Sequence, residues 1–416
     1  MTNKVSLIEN ISLMWVINFF KLATPIILIP WLSRALDSES FGFYMYTVAF
    51  GAWLSIFIDY GFGFSGTRLI AQNSKDPKYI CVILNDLIAA KILISILVIF
   101  ICFIFYFISP IFNNNFLWLI IGSAVGILTS FVPLYYFQGM ETLRKLGLIE
   151  ASINLLNVLL FMLLVKEMND LKYLFILMIM PRLLIVICSY FVIQNEINFS
   201  LKIDFSRGIT ALSDGFYFAL FQISNGIYSS FNIIFIGFFV SPTLVGIYAT
   251  CERLIKVAIT FIGQAAHIVF PRVIVLSNEN KIKMNELRKK SFYAFSFLGI
   301  SFVIIFFVSS DILGSFLLPN NKLQFASTLR YMCLALLPIS IATVYYYQYF
   351  LLNNNERHLS YIMIFGVCFN FIVGYFMVIN FGIIGMAITW ISIEFLILIS
   401  CIIIIHIFLS KQLNYL

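Results

Sequence analysis

Along almost its whole length the chain alternates between long apolar runs and short polar turns. A helix rising 1.5 Å per residue needs about 20 mostly apolar residues to cross the hydrocarbon core of a bilayer. On that template we expect twelve spans, near 11–32, 41–63, 80–107, 116–138, 148–165, 172–194, 212–238, 245–270, 291–309, 327–351, 360–379 and 384–408. One segment departs from the pattern. Ile197, Phe199, Leu201, Ile203 and Phe205 alternate with Asn198, Ser200, Lys202, Asp204 and Ser206, a period of two that predicts extended backbone. A lone strand has no ladder partner, so this stretch is expected to be a linker at the cytoplasmic membrane surface with its apolar side chains toward lipid. A first bundle is thus expected over 1–194, a linker over 195–211 and a second bundle over 212–416.

Composition agrees with that pattern: 62% of residues are hydrophobic and 11% charged, more apolar side chain than a soluble domain can bury. The polar segment Met1–Asn10 precedes a run too long for a signal-peptide core, so the first helix is expected to be retained. The seven cysteines lie mostly in apolar runs without metal-ligand or disulfide spacing. A net charge of +7 invites a nucleic-acid reading, but the cations are scattered over short loops. Membrane topology explains them better. With both termini cytoplasmic, sixteen cations fall inside and five outside, namely Arg34, Lys166, Lys172, Lys322 and Arg330. The outer loops are too short for a catalytic domain, and no phosphate-binding glycine loop is present to couple ATP.

Two sequence echoes suggest a duplicated half. Tyr135-Tyr136-Phe137-Gln138 and Tyr345-Tyr346-Tyr347-Gln348 are 210 positions apart (345 − 135), and Gly42-x-Tyr44 is echoed by Gly246-x-Tyr248. Six spans per half preserve direction, so the halves would be related by an axis along the membrane normal. The expected fold class is therefore all-α: a polytopic membrane protein with about twelve helices in two pseudo-symmetric six-helix bundles around a central cavity.

Charges deep in a bilayer are costly and tend to face a watery path or a partner. Five cations, Lys21, Lys91, Arg182, Arg253 and Lys256, are expected well inside spans, against the anions Glu252 and Glu394. A path lined this way would attract an anionic cargo such as phosphate. Snorkelling to the headgroups is the other reading, most applicable to Arg253. Glu252 and Lys256 stand four apart on one helix face and can neutralise each other. Glu394 could carry a coupling proton or pair with a neighbouring cation. Asp59 opens Asp59-Tyr60-Gly61-Phe62-Gly63, where a hinge or a charge clamp with Arg68 is expected. Gln138, Gln348, Gln222 and Asn225 are candidates for a polar lining, with interhelical hydrogen bonding as the alternative. No catalytic or metal-binding constellation stands out.

Several short motifs in order, namely Lys21 with Pro30, Phe41-Gly42, Asp59-Tyr60-Gly61-Phe62 with Ser65-x-Thr67-Arg68, Phe137-Gln138-Gly139-x-Glu141 and Val245-Gly246-x-Tyr248, give the chain a family likeness. It resembles the bacterial O-antigen or polysaccharide repeat-unit flippases of the multidrug/oligosaccharidyl-lipid/polysaccharide exporter superfamily. The resemblance implies a non-enzymatic transporter in the bacterial inner membrane. Its cargo would be an undecaprenyl-pyrophosphate-linked oligosaccharide, moved to the outer leaflet by alternating access. The resemblance implies coupling to H+ or Na+ and no cofactor, and a complex with a polysaccharide polymerase and chain-length regulator is a further expectation. A multidrug exporter of the same superfamily is the alternative, though it should favour acidic lining residues. A membrane polysaccharide polymerase or ligase is disfavoured by the short outer loops.

Overall fold

The computed structural model describes residue 24 and residues 26–113, 115–352 and 356–413, and every regular element among them is helical. In chain order the helices are α1 (Ile26–Ala35), α2 (Ser38–Asp59), α3 (Phe62–Gln72), α4 (Pro77–Ile108), α5 (Phe116–Ser130), α6 (Leu134–Gly139) and α7 (Leu143–Leu164). They continue as α8 (Leu171–Ile197), α9 (Phe205–Ile236), α10 (Pro242–Glu279), α11 (Lys281–Leu317), α12 (Lys322–Cys333), α13 (Leu336–Tyr345) and α14 (Glu356–Leu413). Among the described residues, nine helical segments are long and apolar enough to cross a membrane. Expected spans two to twelve each overlap a helix, whereas most of the first, including Lys21, lies outside the described residues. The eleventh and twelfth spans both fall on α14, which is bent at Gly382, where φ is 58° and ψ is −136°.

The chain divides into two compact units, Met1–Thr243 and Leu244–Leu416. Helix α9, which the hydropathy pattern assigns to the second bundle, packs on α2, α3 and α4 within the first unit. Its start also corrects the linker. Only 198–204 is without regular structure; Phe205 already belongs to the helix. The Asp204 side chain accepts from the backbone N–H groups of Ser206 (3.0 Å) and Arg207 (3.4 Å), two of the four donors that a helix start leaves unpaired. That cap fixes the helix start against the alternating pattern. Leu201, Ile203 and Phe205 remain exposed, as the alternation requires of side chains meant for a non-aqueous surface.

In the first unit α2 packs extensively on α5, and the sequence shows why. Gly122 and Gly126 are one turn apart on α5, and a Cβ at Gly126 would lie 2.7 Å from the Gly51 carbonyl of α2. Without water to drive apolar association, bilayer helices gain from such small-residue stripes, which bring backbones into van der Waals contact. The buried rings of Phe50 and Phe112, 5.1 Å apart, fill the space beside this seam.

Candidate functional site

Two helix breaks meet at one cation. Helix α2 stops at Asp59 because Tyr60 (φ 50°) and Gly61 (φ 75°) take left-handed backbone, and a Cβ at Gly61 would crowd the Phe218 carbonyl of α9 at 2.7 Å. Helix α5 stops at Ser130, with Pro133 barring a regular continuation before α6. Lys91, reaching in from α4, donates to Asp59 Oδ1 at 2.9 Å and to the Ser130 carbonyl, and its ammonium lies 4.9 Å from the Tyr135 ring centroid. It thus sits at the C-terminal ends of two helices, where unpaired carbonyls and the helix dipole both favour a cation. The Lys91 side chain is 1% exposed and that of Asp59 is 28% exposed. Lys91 is therefore enclosed by its partners and does not line a watery path, contrary to the expectation from span depth. Asp59 clamps Lys91 and not Arg68.

A second clamp orders the linker. Asn85, buried on α4, donates from Nδ2 to the Ser200 carbonyl (3.0 Å) and accepts at Oδ1 from the Lys202 N–H (2.8 Å). One side-chain amide thereby supplies the donor and acceptor that a neighbouring strand would have offered. The linker leads directly into α9, whose Gly208 lies so near α4 that a Cβ there would be 3.0 Å from the Ala90 nitrogen.

Between α3, α4 and α9 lies a cavity of about 570 Å³. Helix α3 contributes Ser65, Arg68, Leu69 and Gln72; α4 contributes Tyr79, Val82, Ile83, Asp86 and Leu87; α9 contributes Arg207, Thr210, Ala211, Asp214, Gly215 and Phe218. The residues flanking the two breaks and the linker clamp together position these three helices. The volume falls in the roughly 300–1,000 Å³ range of small-ligand sites. Among the described residues, none of the cations first singled out by depth lines this cavity.

Lys21 is outside the described residues, and the other cations lie elsewhere. Lys256 pairs with Glu252 at 2.5 Å, the lysine side chain 40% and the glutamate 2% exposed. Arg182, half-buried on α8, is within electrostatic reach of Glu150 on α7. Arg253 is half-buried and has interaction partners of its own. Glu394 is buried and accepts from Trp390 Nε1 at 3.0 Å. Gln138 is exposed and accepts from the Thr67 hydroxyl at 3.3 Å, whereas Gln348 is buried and its backbone carbonyl accepts from Arg288. Gln222 is half-buried, and the side chain of Asn225 lies outside those described. No group of three or more His, Cys, Asp or Glu able to hold a metal occurs among the described residues.

The cavity residues Asp86, Arg207 and Asp214 were passed over because each sits near the end of a span, where charge is ordinary. What could have marked them is helical spacing: Arg207, Thr210 and Asp214 share one face of α9.

Comparison with known proteins places the fold and the family. A chain from Escherichia coli described as "Putative O-antigen transporter" is 24% identical over 402 residues, covering 95% of this chain and 96% of the relative. A chain of the same description from Shigella dysenteriae is 24% identical over 396 residues, covering 94% and 97%. Among solved structures, an inward-facing multidrug resistance MATE family transporter aligns with a TM-score of 0.65 at 14% identity, over 93% of this chain and 92% of that one. The lipid II flippase MurJ in an inward closed conformation aligns with a TM-score of 0.61 at 14% identity, over 89% and 86%. These likenesses show a shared transporter fold, which accounts for the multi-helix membrane architecture. The model of the family described as polysaccharide biosynthesis protein matches residues 7–277, more than half the chain, and the protein belongs to that family.

Proposed function

We propose that this protein is a flippase for lipid-linked oligosaccharides. Its cargo would be undecaprenyl-pyrophosphate-linked repeat units of O-antigen or capsule type, carried from the cytoplasmic to the periplasmic leaflet of the inner membrane. The observation that carries this reading is the end-to-end similarity to chains described as O-antigen transporters, combined with the family match. The fold alone does not choose between lipid-linked and drug cargoes, because MATE and MurJ structures share it. Nor does the excess of intramembrane cations carry the reading, since Lys91 and Lys256 are paired with carboxylates.

In this reading the lipid tail stays in the bilayer while pyrophosphate and sugars take a polar route. Lys21, Arg182, Arg253 and the part-exposed Lys256 are the cations assigned to the pyrophosphate, Lys91 being enclosed by its partners. Ion coupling would use H+ or Na+, with buried Glu394 the carboxylate assigned to a coupling proton. Both termini would be cytoplasmic, and the polymerase and chain-length regulator of the same polysaccharide would act beside it. Expression in a strain lacking its repeat-unit flippase, but otherwise able to build the matching polysaccharide, should restore surface glycan without raising drug resistance. Drug resistance with no restored glycan would replace this reading with a multidrug exporter.

A further inference from the structure

The cavity between α3, α4 and α9 has a chemistry that neither the family nor the sequence pattern assigns. Its charged groups are balanced: Arg68 and Arg207 against Asp86 and Asp214. Arg207 is further engaged, with Nε 3.9 Å from Asp204 Oδ2, and its charge also acts on Asp86. A phosphate site would present uncompensated cations and backbone N–H groups. Here the positive field is cancelled inside the cavity, so an anion gains little on entering.

The same lining suits an uncharged polyhydroxyl ligand. Each sugar hydroxyl is both a donor and an acceptor. Carboxylates accept from such groups, and guanidinium donates to them in a planar fork. Asp86 supplies the acceptor from the half-buried wall of the cavity. The C–H faces of a pyranose ring need apolar cover, which the Tyr79 and Phe218 rings provide. Position fits as well: the cavity borders the α3–α4 loop carrying Lys75, the first turn of α4 carrying Lys78 and the linker carrying Lys202, the end that the charge bias assigns to the cytoplasm. A glycan assembled on that side would meet this surface before translocation.

We propose that the cavity is a sugar-binding subsite in the first unit, taking an uncharged glycosyl residue of the cargo at its cytoplasmic face. The proposal rests on the flippase reading above and adds where the sugar is read. The test uses full-length protein in lipid nanodiscs, with glucose, galactose, N-acetylglucosamine and rhamnose as separate probes in saturation-transfer NMR, and inorganic pyrophosphate as competitor. At least one sugar should bind the wild type, unaffected by pyrophosphate, and bind at least tenfold more weakly to Asp86→Asn and Asp214→Asn. Asp214 is exposed, so its variant decides the matter even if the Asp86 substitution impairs folding.

Absence of binding by all four sugars, displacement by pyrophosphate, or unchanged binding in Asp214→Asn overturns the subsite. The same variants expressed in the flippase-null strain separate the two claims. Restored glycan with wild-type and Asp214→Asn alike removes the subsite and leaves the flippase reading standing, whereas no restoration by the wild type removes the flippase reading itself.

Discussion

Lys91 in the first unit and Arg288 in the second hold comparable helix irregularities by different means. Lys91 lies on α4, which carries the expected third span, and Arg288 on α11, three residues before the expected ninth, so each belongs to the third helix of its expected six. Each donates to a backbone carbonyl where the next span is interrupted, Lys91 to Ser130 at the α5–α6 break and Arg288 to Gln348 within the π-helical turn Tyr346–Leu351. Each also stands over a tyrosine in or beside the repeated aromatic motif, Tyr135 at 4.9 Å and Tyr349 at 4.2 Å. The counterion differs. Lys91 has the Asp59 carboxylate, whereas the Arg288 Nε is buried without a hydrogen-bond partner among the described residues. The frame recurs in both halves, but the first half locks it with a buried lysine that joins two helix breaks, through the Asp59 carboxylate and the Ser130 carbonyl.

That difference has measurable consequences, the largest on the lysine side. Lys91→Met leaves the Asp59 carboxylate and the Ser130 carbonyl without their partner and should cost about 3–5 kcal/mol, read as a fall in the unfolding midpoint in detergent. Replacing Asp59 by Leu in the same molecule removes the stranded charge and should recover part of that loss. A double variant no more stable than Lys91→Met alone would mean that the pair is not the unit of stability. Arg288→Leu sheds a cation–π contact and one hydrogen bond, a loss of about 1–2 kcal/mol. Equal losses at Lys91 and Arg288 would erase the contrast between the two clamps.

The helices were legible in the sequence because the bilayer imposes a length and an apolarity that any span must meet. The alternation marked a break between helices, and residues 198–204 are without regular structure, with Asn198 in left-handed backbone. Pairings were harder to read. Asp59 and Lys91 are 32 residues apart on different helices (91 − 59), and nothing in either span names the other. Depth alone made Lys91 look like a lining residue, when burial with a partner satisfies the same physical demand. The Asn85 clamp was missed for the complementary reason: a polar residue near a span end raises no alarm. The α9 start was available, because Asp204-Phe205-Ser206-Arg207 carries an N-cap residue, but the alternating pattern outvoted it. The cavity required three helices to be brought together, which no local pattern reveals.

The flippase account is tested most directly by reconstituting the purified protein in liposomes that carry a fluorescent undecaprenyl-pyrophosphate-linked oligosaccharide and an ion gradient. A membrane-impermeant quencher then follows the exposed fraction. The account predicts leaflet exchange faster than in protein-free vesicles, and faster again when the H+ or Na+ gradient is imposed. Exchange indistinguishable from protein-free vesicles, with the protein folded and the lipid-linked substrate intact, would contradict it.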